Sequence, residues 1–316
     1  MKTPRRINDL LIAKEKYLER AEALLDKSIV RYQAKLLSEY LQTIIPLLAV
    51  DEAGNILDNR NNSRLLQTTD KVFREFTKTN KIIIGGSMVK AFDNIARLGK
   101  KYFFETLTPP SFFDDVVKAT QVLIDARLGI AGGNIVGGSF IDKLITNEEL
   151  LMSLKNYMAR SLSERTPVKS FVAEINKMIT GAGEDLGACQ KYFKRHARDL
   201  YMQYDASYNL SIANKLGLNY FIYQGGLIRD SRDFCVAHNG KVWSREEAAL
   251  WPEWIPSFGE YPEGYKIKAK NTDEIPSYIN FPGYSPLIDR GGYNCRHILG
   301  WIPDELADRM RGKKSE

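Results

Sequence analysis

Cys235-Val236-Ala237-His238 and Cys295-Arg296-His297 place four metal-binding side chains in two short bites. The chain of 316 residues has only three cysteines and three histidines, so these two pieces hold most of both. Thiolate and imidazole are the ligands a tetrahedral zinc prefers, and two bites from separate segments can surround one ion. A structural zinc held by Cys235, His238, Cys295 and His297 would staple a segment that has little core of its own. The same four residues could instead pack without metal, the thiols as small hydrophobes and the imidazoles bonded to backbone. Catalysis is the third option. Cys235 with His238 or His297 could form a thiolate nucleophile. Asp230, Asp233 and Glu246 could instead join the histidines around a hydrolytic ion. Four protein ligands leave no corner for a reacting water, so the metal reading itself points away from an enzyme.

The elements that must position these bites are mostly helical. Residues 8–48 form the clearest helix, with Ile7, Leu11, Leu18, Ala21, Leu25, Ile29, Tyr32 and Leu36 at steps near three and four. Lys14 interrupts that stripe, and Leu10, Tyr17 and Leu24 widen it. So long an amphipathic helix needs a partner along its length, either the rest of this chain or a second copy. Residues 51–63 are polar and read as a loop. Helices follow at 65–80 and 87–107, separated by Ile82-Ile83-Ile84-Gly85-Gly86, a short β-like run ending in a glycine turn. Those glycines lack the Gly-Lys-Ser/Thr ending of a phosphate loop. A helix at 112–128 leads into five glycines between 129 and 138, expected to make a mobile loop.

Further helices are expected at 148–162 and 171–179, the latter entered through Pro167. A small hinge at Thr180-Gly181-Ala182-Gly183 precedes a long helix over 184–216, which Gly217 ends. Residues 218–223 read as a strand, which Leu227-Ile228 extend, and Val242-Trp243 as another. Ser244 and Glu247 form a capping box for a short helix. Prolines and aromatics alternate through 251–286, an irregular but packed wrap. Residues 303–316 make a tail helix with a basic end. The fold class is therefore mainly α: a long-helix N-terminal body with a small α+β C-terminal module. The expected division is 1–165 as helical body, 166–222 as hinge and lead-in helix, and 223–316 as the module with its tail.

Composition is that of an ordinary globular protein, with 44% hydrophobic and 27% charged residues. A net charge of +6 permits contact with nucleic acid without demanding it. Three cysteines in so long a chain do not make a disulfide scaffold, which suggests a reducing compartment. No apolar run approaches membrane-spanning length, and a charged helix follows the first residues where a secretory signal would be apolar. The long helix over 184–216 carries Lys191, Lys194, Arg195 and Arg198 among Tyr192, Phe193, Tyr201, Tyr204 and Tyr208. Cations on phosphate with rings on bases would bind DNA without sequence preference. The plainer reading is a solvated basic face beside an aromatic core stripe, with His196 at the surface.

One resemblance emerges from the module. Asp230-Ser231-Arg232, then Cys235, then Gly240-Lys241-Val242, and a distant Asn294-Cys295-Arg296-His297, resemble the Mu F-like minor head protein family of tailed phages. That family's pattern is an Asp-x-Arg, a Cys, a Gly-Lys, and a closing Cys-Arg-Cys or Cys-Arg-His. The helix ending over 209–217 resembles its lead-in helix. The likeness covers about the last third of the chain. It implies a structural minor capsid protein, not an enzyme, which associates with the portal and other head proteins. It implies a role in head morphogenesis or DNA delivery, in the host cytoplasm during assembly and then in the virion head. It marks Asp230, Arg232, Gly240 and Lys241 as motif residues. The other readings are a metal-dependent hydrolase or nuclease, and a DNA-binding protein without catalysis.

Overall fold

The computed structural model describes residues 4–253 and 277–312, the side chains of 194–198 not among them. The lysine-rich end at 313–316 and most of the expected aromatic wrap lie outside the described residues. The chain is 69% helical, with a long helical body and a small C-terminal module built on a three-stranded antiparallel sheet. No helix among the described residues is long and apolar enough to cross a membrane. Two compact units share the chain. One takes Met1–Glu22, Ala91–Ala126 and Arg198–Glu316; the other takes Ala23–Lys90 and Arg127–Ala197.

Helix α1, Pro4–Ile44, follows its apolar stripe closely. All eight stripe residues from Ile7 to Leu36 are buried, so the chain itself covers this face. Lys14 is buried with them, at 2% exposure. Its Nζ lies 2.7 Å from Asp205 Oδ1, and that ion pair explains how a cation stands in an apolar stripe.

Helix α2, Leu65–Thr106, corrects the expected break at 82–86. Ile82 is exposed and Ile84 buried, whereas a half-buried strand would put these two residues on the same face. Gly85 sits inside this helix because a Cβ there would stand 2.1 Å from Ile135 Cδ1. Close packing thus accounts for a residue that helices otherwise disfavour. The glycines expected to form a mobile loop build a two-stranded hairpin, Ile130–Ala131 with Asn134–Ile135. Gly132 and Gly133 turn it with φ of 53° and 75°, which suits the tight turn of two antiparallel strands. The expected hinge at 180–183 is a second such hairpin, Gly181–Ala182 with Asp185–Leu186.

Helix α3, Ala188–Lys215, begins four residues later than its pattern suggested. Its aromatic stripe belongs to the core: Phe193, Tyr201, Tyr204 and Tyr208 are all buried. Tyr204 packs on Phe92 at 4.6 Å between ring centres. These four rings are not offered to bases, whereas Tyr192 is half-buried. Lys191 is exposed; the side chains of Lys194, Arg195, His196 and Arg198 lie outside the described residues.

The module's sheet has β1, Tyr220–Gln224, at its centre, between β2, Val242–Ser244, and β3, Ile298–Ile302. Phe221 pairs with Trp243 on one side and Trp301 on the other. Leu227-Ile228 do not extend β1. The capping box of Ser244 and Glu247 is present. Phe221 and Tyr223 share one face of β1, as a period of two requires, and Trp251 packs edge-on against both rings.

Candidate metal centre

Three of the four expected ligands meet. The ligand atoms of Cys235, Cys295 and His297 all lie within 4.8 Å of one another, and each residue is at most 5% exposed. This buried group could hold a metal ion. Cys235 comes from the short helix Asp233–His238, which lies over the Phe221–Tyr223 face of the sheet. Cys295 and His297 come from the turn that leads into β3. The Sγ atoms are 4.0 Å apart, and Cys295 Sγ is 3.7 Å from His297 Nδ1.

His238 stands outside the group. Its Nδ1 donates to the Phe234 carbonyl at 2.7 Å, and its ring stacks on Phe234 at 3.9 Å and on Trp243 at 4.5 Å. The Cys-x-x-His spacing is that of successive turns of a short helix. The Phe234 carbonyl one turn back fixes Nδ1, and His238 is not among the ligand atoms that lie within 4.8 Å of one another. His238 is thus a core residue, as in the metal-free reading, while its three companions keep the metal reading open.

Among the motif residues, Arg232 holds the two bites together. Arg232 donates from Nη1 to the Gly291 carbonyl at 2.6 Å and from Nη2 to the Tyr293 carbonyl at 2.7 Å. Its guanidinium also lies 4.7 Å from the Tyr278 ring centre. One side chain therefore clamps the loop that delivers Cys295. The planar, five-donor fork of arginine suits this work, where a lysine would not. Asp199, on α3, accepts the Asn294 N–H at 2.7 Å, and Asn294 adopts the left-handed conformation that asparagine tolerates. Gly240, with φ of 74°, donates its N–H to the Tyr223 carbonyl at 2.8 Å. The Tyr223 N–H in turn donates to the Lys241 carbonyl. Gly240-Lys241 thus joins the Cys235 helix to the edge of β1. Asp230 is exposed, as is the Lys241 side chain.

Two participants were not expected from the sequence. The Tyr223 hydroxyl lies 3.5 Å from Cys235 Sγ and 3.4 Å from Cys295 Sγ. Its alternation with Phe221 along β1 is the one sequence signal that put it on the site's face. Arg290, 2% exposed, donates to the Met202 carbonyl and brings a positive charge near Cys295. The two thiols interact strongly. The hydrogen bond with Cys295, then burial, push Cys235 well up. Burial also raises Cys295, but its bonds with Cys235 and His297 and the Arg290 charge outweigh that and hold it low. Of the two thiols, Cys295 is the one its surroundings make easier to ionise. His297 Nε2 is buried and finds no hydrogen-bond partner among the described residues.

No family model, no characterised protein and no solved structure matches the chain.

His238 supplies a pH test of the core. Burial lowers its pKa to about 4; the bond to the Phe234 carbonyl partly offsets this, while Lys241 and His297 add to it. The folded state keeps the ring neutral while the unfolded chain, at about 6.5, takes a proton. Stability is therefore expected to fall as pH drops from about 6.5 toward 4, by up to about 3 kcal/mol from this residue. Denaturant midpoints of wild type and His238→Gln, compared in the same buffers, should show the steeper decline only in wild type. Parallel profiles would mean that His238 titrates alike in both states.

Proposed function

We propose that this protein is a structural minor head protein of a tailed phage, docking on the portal and other head proteins during assembly and retained in the virion head. The reading starts from the Mu F-like resemblance. The observation that supports it is the Arg232 clamp: the Asp-x-Arg piece grips the very loop that presents the Cys-Arg-His piece. Each separated piece of the motif has a physical task at one place, as parts of a single module should. The burial of Cys235, Cys295 and His297 favours a structural role over a catalytic one, because a reacting substrate needs access to the ion. The ion these donors suit is zinc, held by two thiolates and an imidazole. It would join the 233–238 helix to the start of β3.

Co-expression with the portal and major capsid proteins tests the assembly role. The chain is expected to co-purify with portal and to be present in procapsids. A chain found only as a free monomer, and missing from both procapsids and virions, overturns the proposal.

A further inference from the structure

We propose that Tyr223 is the fourth donor of the metal centre, closing with Cys235, Cys295 and His297 a tetrahedral site for zinc. This rests on the zinc reading above and deepens it.

The geometry carries the inference. Donors at about 2.0–2.3 Å from a tetrahedral zinc stand about 3.3–3.8 Å from one another. The two sulfurs are 4.0 Å apart, Cys295 Sγ and His297 Nδ1 3.7 Å, and the Tyr223 oxygen 3.5 and 3.4 Å from the two sulfurs. Each of these four edges is within a few tenths of an ångström of the length an ion would impose. His238 is not among the ligand atoms that lie within 4.8 Å of one another.

Tyr223 is also held where a donor must be. It is fully buried on the central strand, paired to Leu299 on β3, and its ring stacks on that of His297 at 4.6 Å and 19°. Two neighbouring ligands are thus oriented by one contact. Gly291 preserves the space. A Cβ there would stand 2.6 Å from Cys235 Sγ, 3.0 Å from the Tyr223 oxygen and 3.2 Å from Cys295 Sγ. The glycine keeps clear the face that these three atoms share.

The charges can be balanced as well. Tyr223 coordinates as phenolate, its proton and the thiol protons passing to solvent as zinc binds. Two thiolates and a phenolate around a divalent cation leave one negative charge. Arg290, buried and close enough to act on Cys295, answers it.

The experiment uses the full chain, purified under reducing conditions, stripped with chelator, and titrated with Zn²⁺ and with Co²⁺. Wild type is expected to take one equivalent of either ion. Its cobalt spectrum should be four-coordinate with two thiolates, and an ionised-tyrosine difference band should grow with the metal. Tyr223→Phe should weaken zinc at least tenfold, since loss of outer-shell partners alone costs about 10–100-fold. It should also abolish the tyrosinate band. His238→Gln should change neither. Zinc bound by wild type with no tyrosinate band, and Tyr223→Phe matching it in affinity and cobalt spectrum, would overturn the Tyr223 assignment and leave a three-donor zinc site. No zinc bound by wild type, with free thiols or a Cys235–Cys295 disulfide by mass spectrometry, would overturn both. If Tyr223→Phe does not fold, the wild-type tyrosinate band alone decides.

Discussion

Asp205→Ala is expected to lower the unfolding free energy by about 3–5 kcal/mol, because it strands a buried ammonium without its counter-charge. Lys14 Nζ and Asp205 Oδ1 are 2.7 Å apart, and the two side chains are only 3% and 1% exposed. Neither can turn to water without opening the packing of α1 on α3. The pair itself need not be a net stabiliser, since taking two charges out of water offsets most of their attraction. That asymmetry makes the test sharp. Lys14→Met combined with Asp205→Leu should recover most of the lost stability, while each single change costs heavily. Both residues lie in the unit that also contains Trp243, Trp251 and Trp301, so tryptophan fluorescence in urea reports the right transition. A loss below about 1 kcal/mol for Asp205→Ala would show that Lys14 finds another route to water.

Removing the metal should have the second large effect. Zinc at about a thousand times its dissociation constant adds about 4 kcal/mol to the folded state. A chelator is therefore expected to loosen residues 223–301 first, and limited proteolysis should cut there before it cuts elsewhere. Cys235→Ser should lose metal and solubility together. Cys189→Ser should lose neither. Cys189 is buried beside Asn147, where burial pushes its thiol up to about 12, so it is a plain packing residue. Protein that carries no zinc when purified without chelator, with the module still protease-resistant, would make the cluster a hydrogen-bonded core of two thiols, a phenol and an imidazole.

The repeating features of the fold were legible in the sequence. The stripe on α1 is buried residue for residue, since a helical period is a local property that the chain states directly. Lys14 read as a flaw because its partner lies on α3, and no local pattern links the two positions. The run at 82–86 was misread because β-branched residues and glycines suggest strand and turn when taken alone. The contact of Gly85 with Ile135, which makes a helical glycine sensible, is visible only in three dimensions. Strand β3 passed unnoticed because every residue from Ile298 to Ile302 is buried, which leaves no alternation to detect. At the site, cysteine and histidine types announced themselves and Tyr223 did not. A tyrosine becomes a candidate donor only once the strand places its hydroxyl between two sulfurs.

The placement of β3 has a consequence for how the protein is made. The central strand β1 emerges from the ribosome with β2 soon after it, but its other neighbour, Ile298–Ile302, appears much later. The unit that holds them also takes Met1–Glu22, which is synthesised well before all three strands. Those residues must wait for β3 before their own unit can close. Meanwhile Ala23–Lys90 and Arg127–Ala197 are complete long before β3 is made. Contacts between segments so far apart in sequence form slowly and leave apolar surface uncovered in the interval. A ribosome stalled after residue 290 would therefore hold one finished unit and one open one, and the open one is where a chaperone would be found.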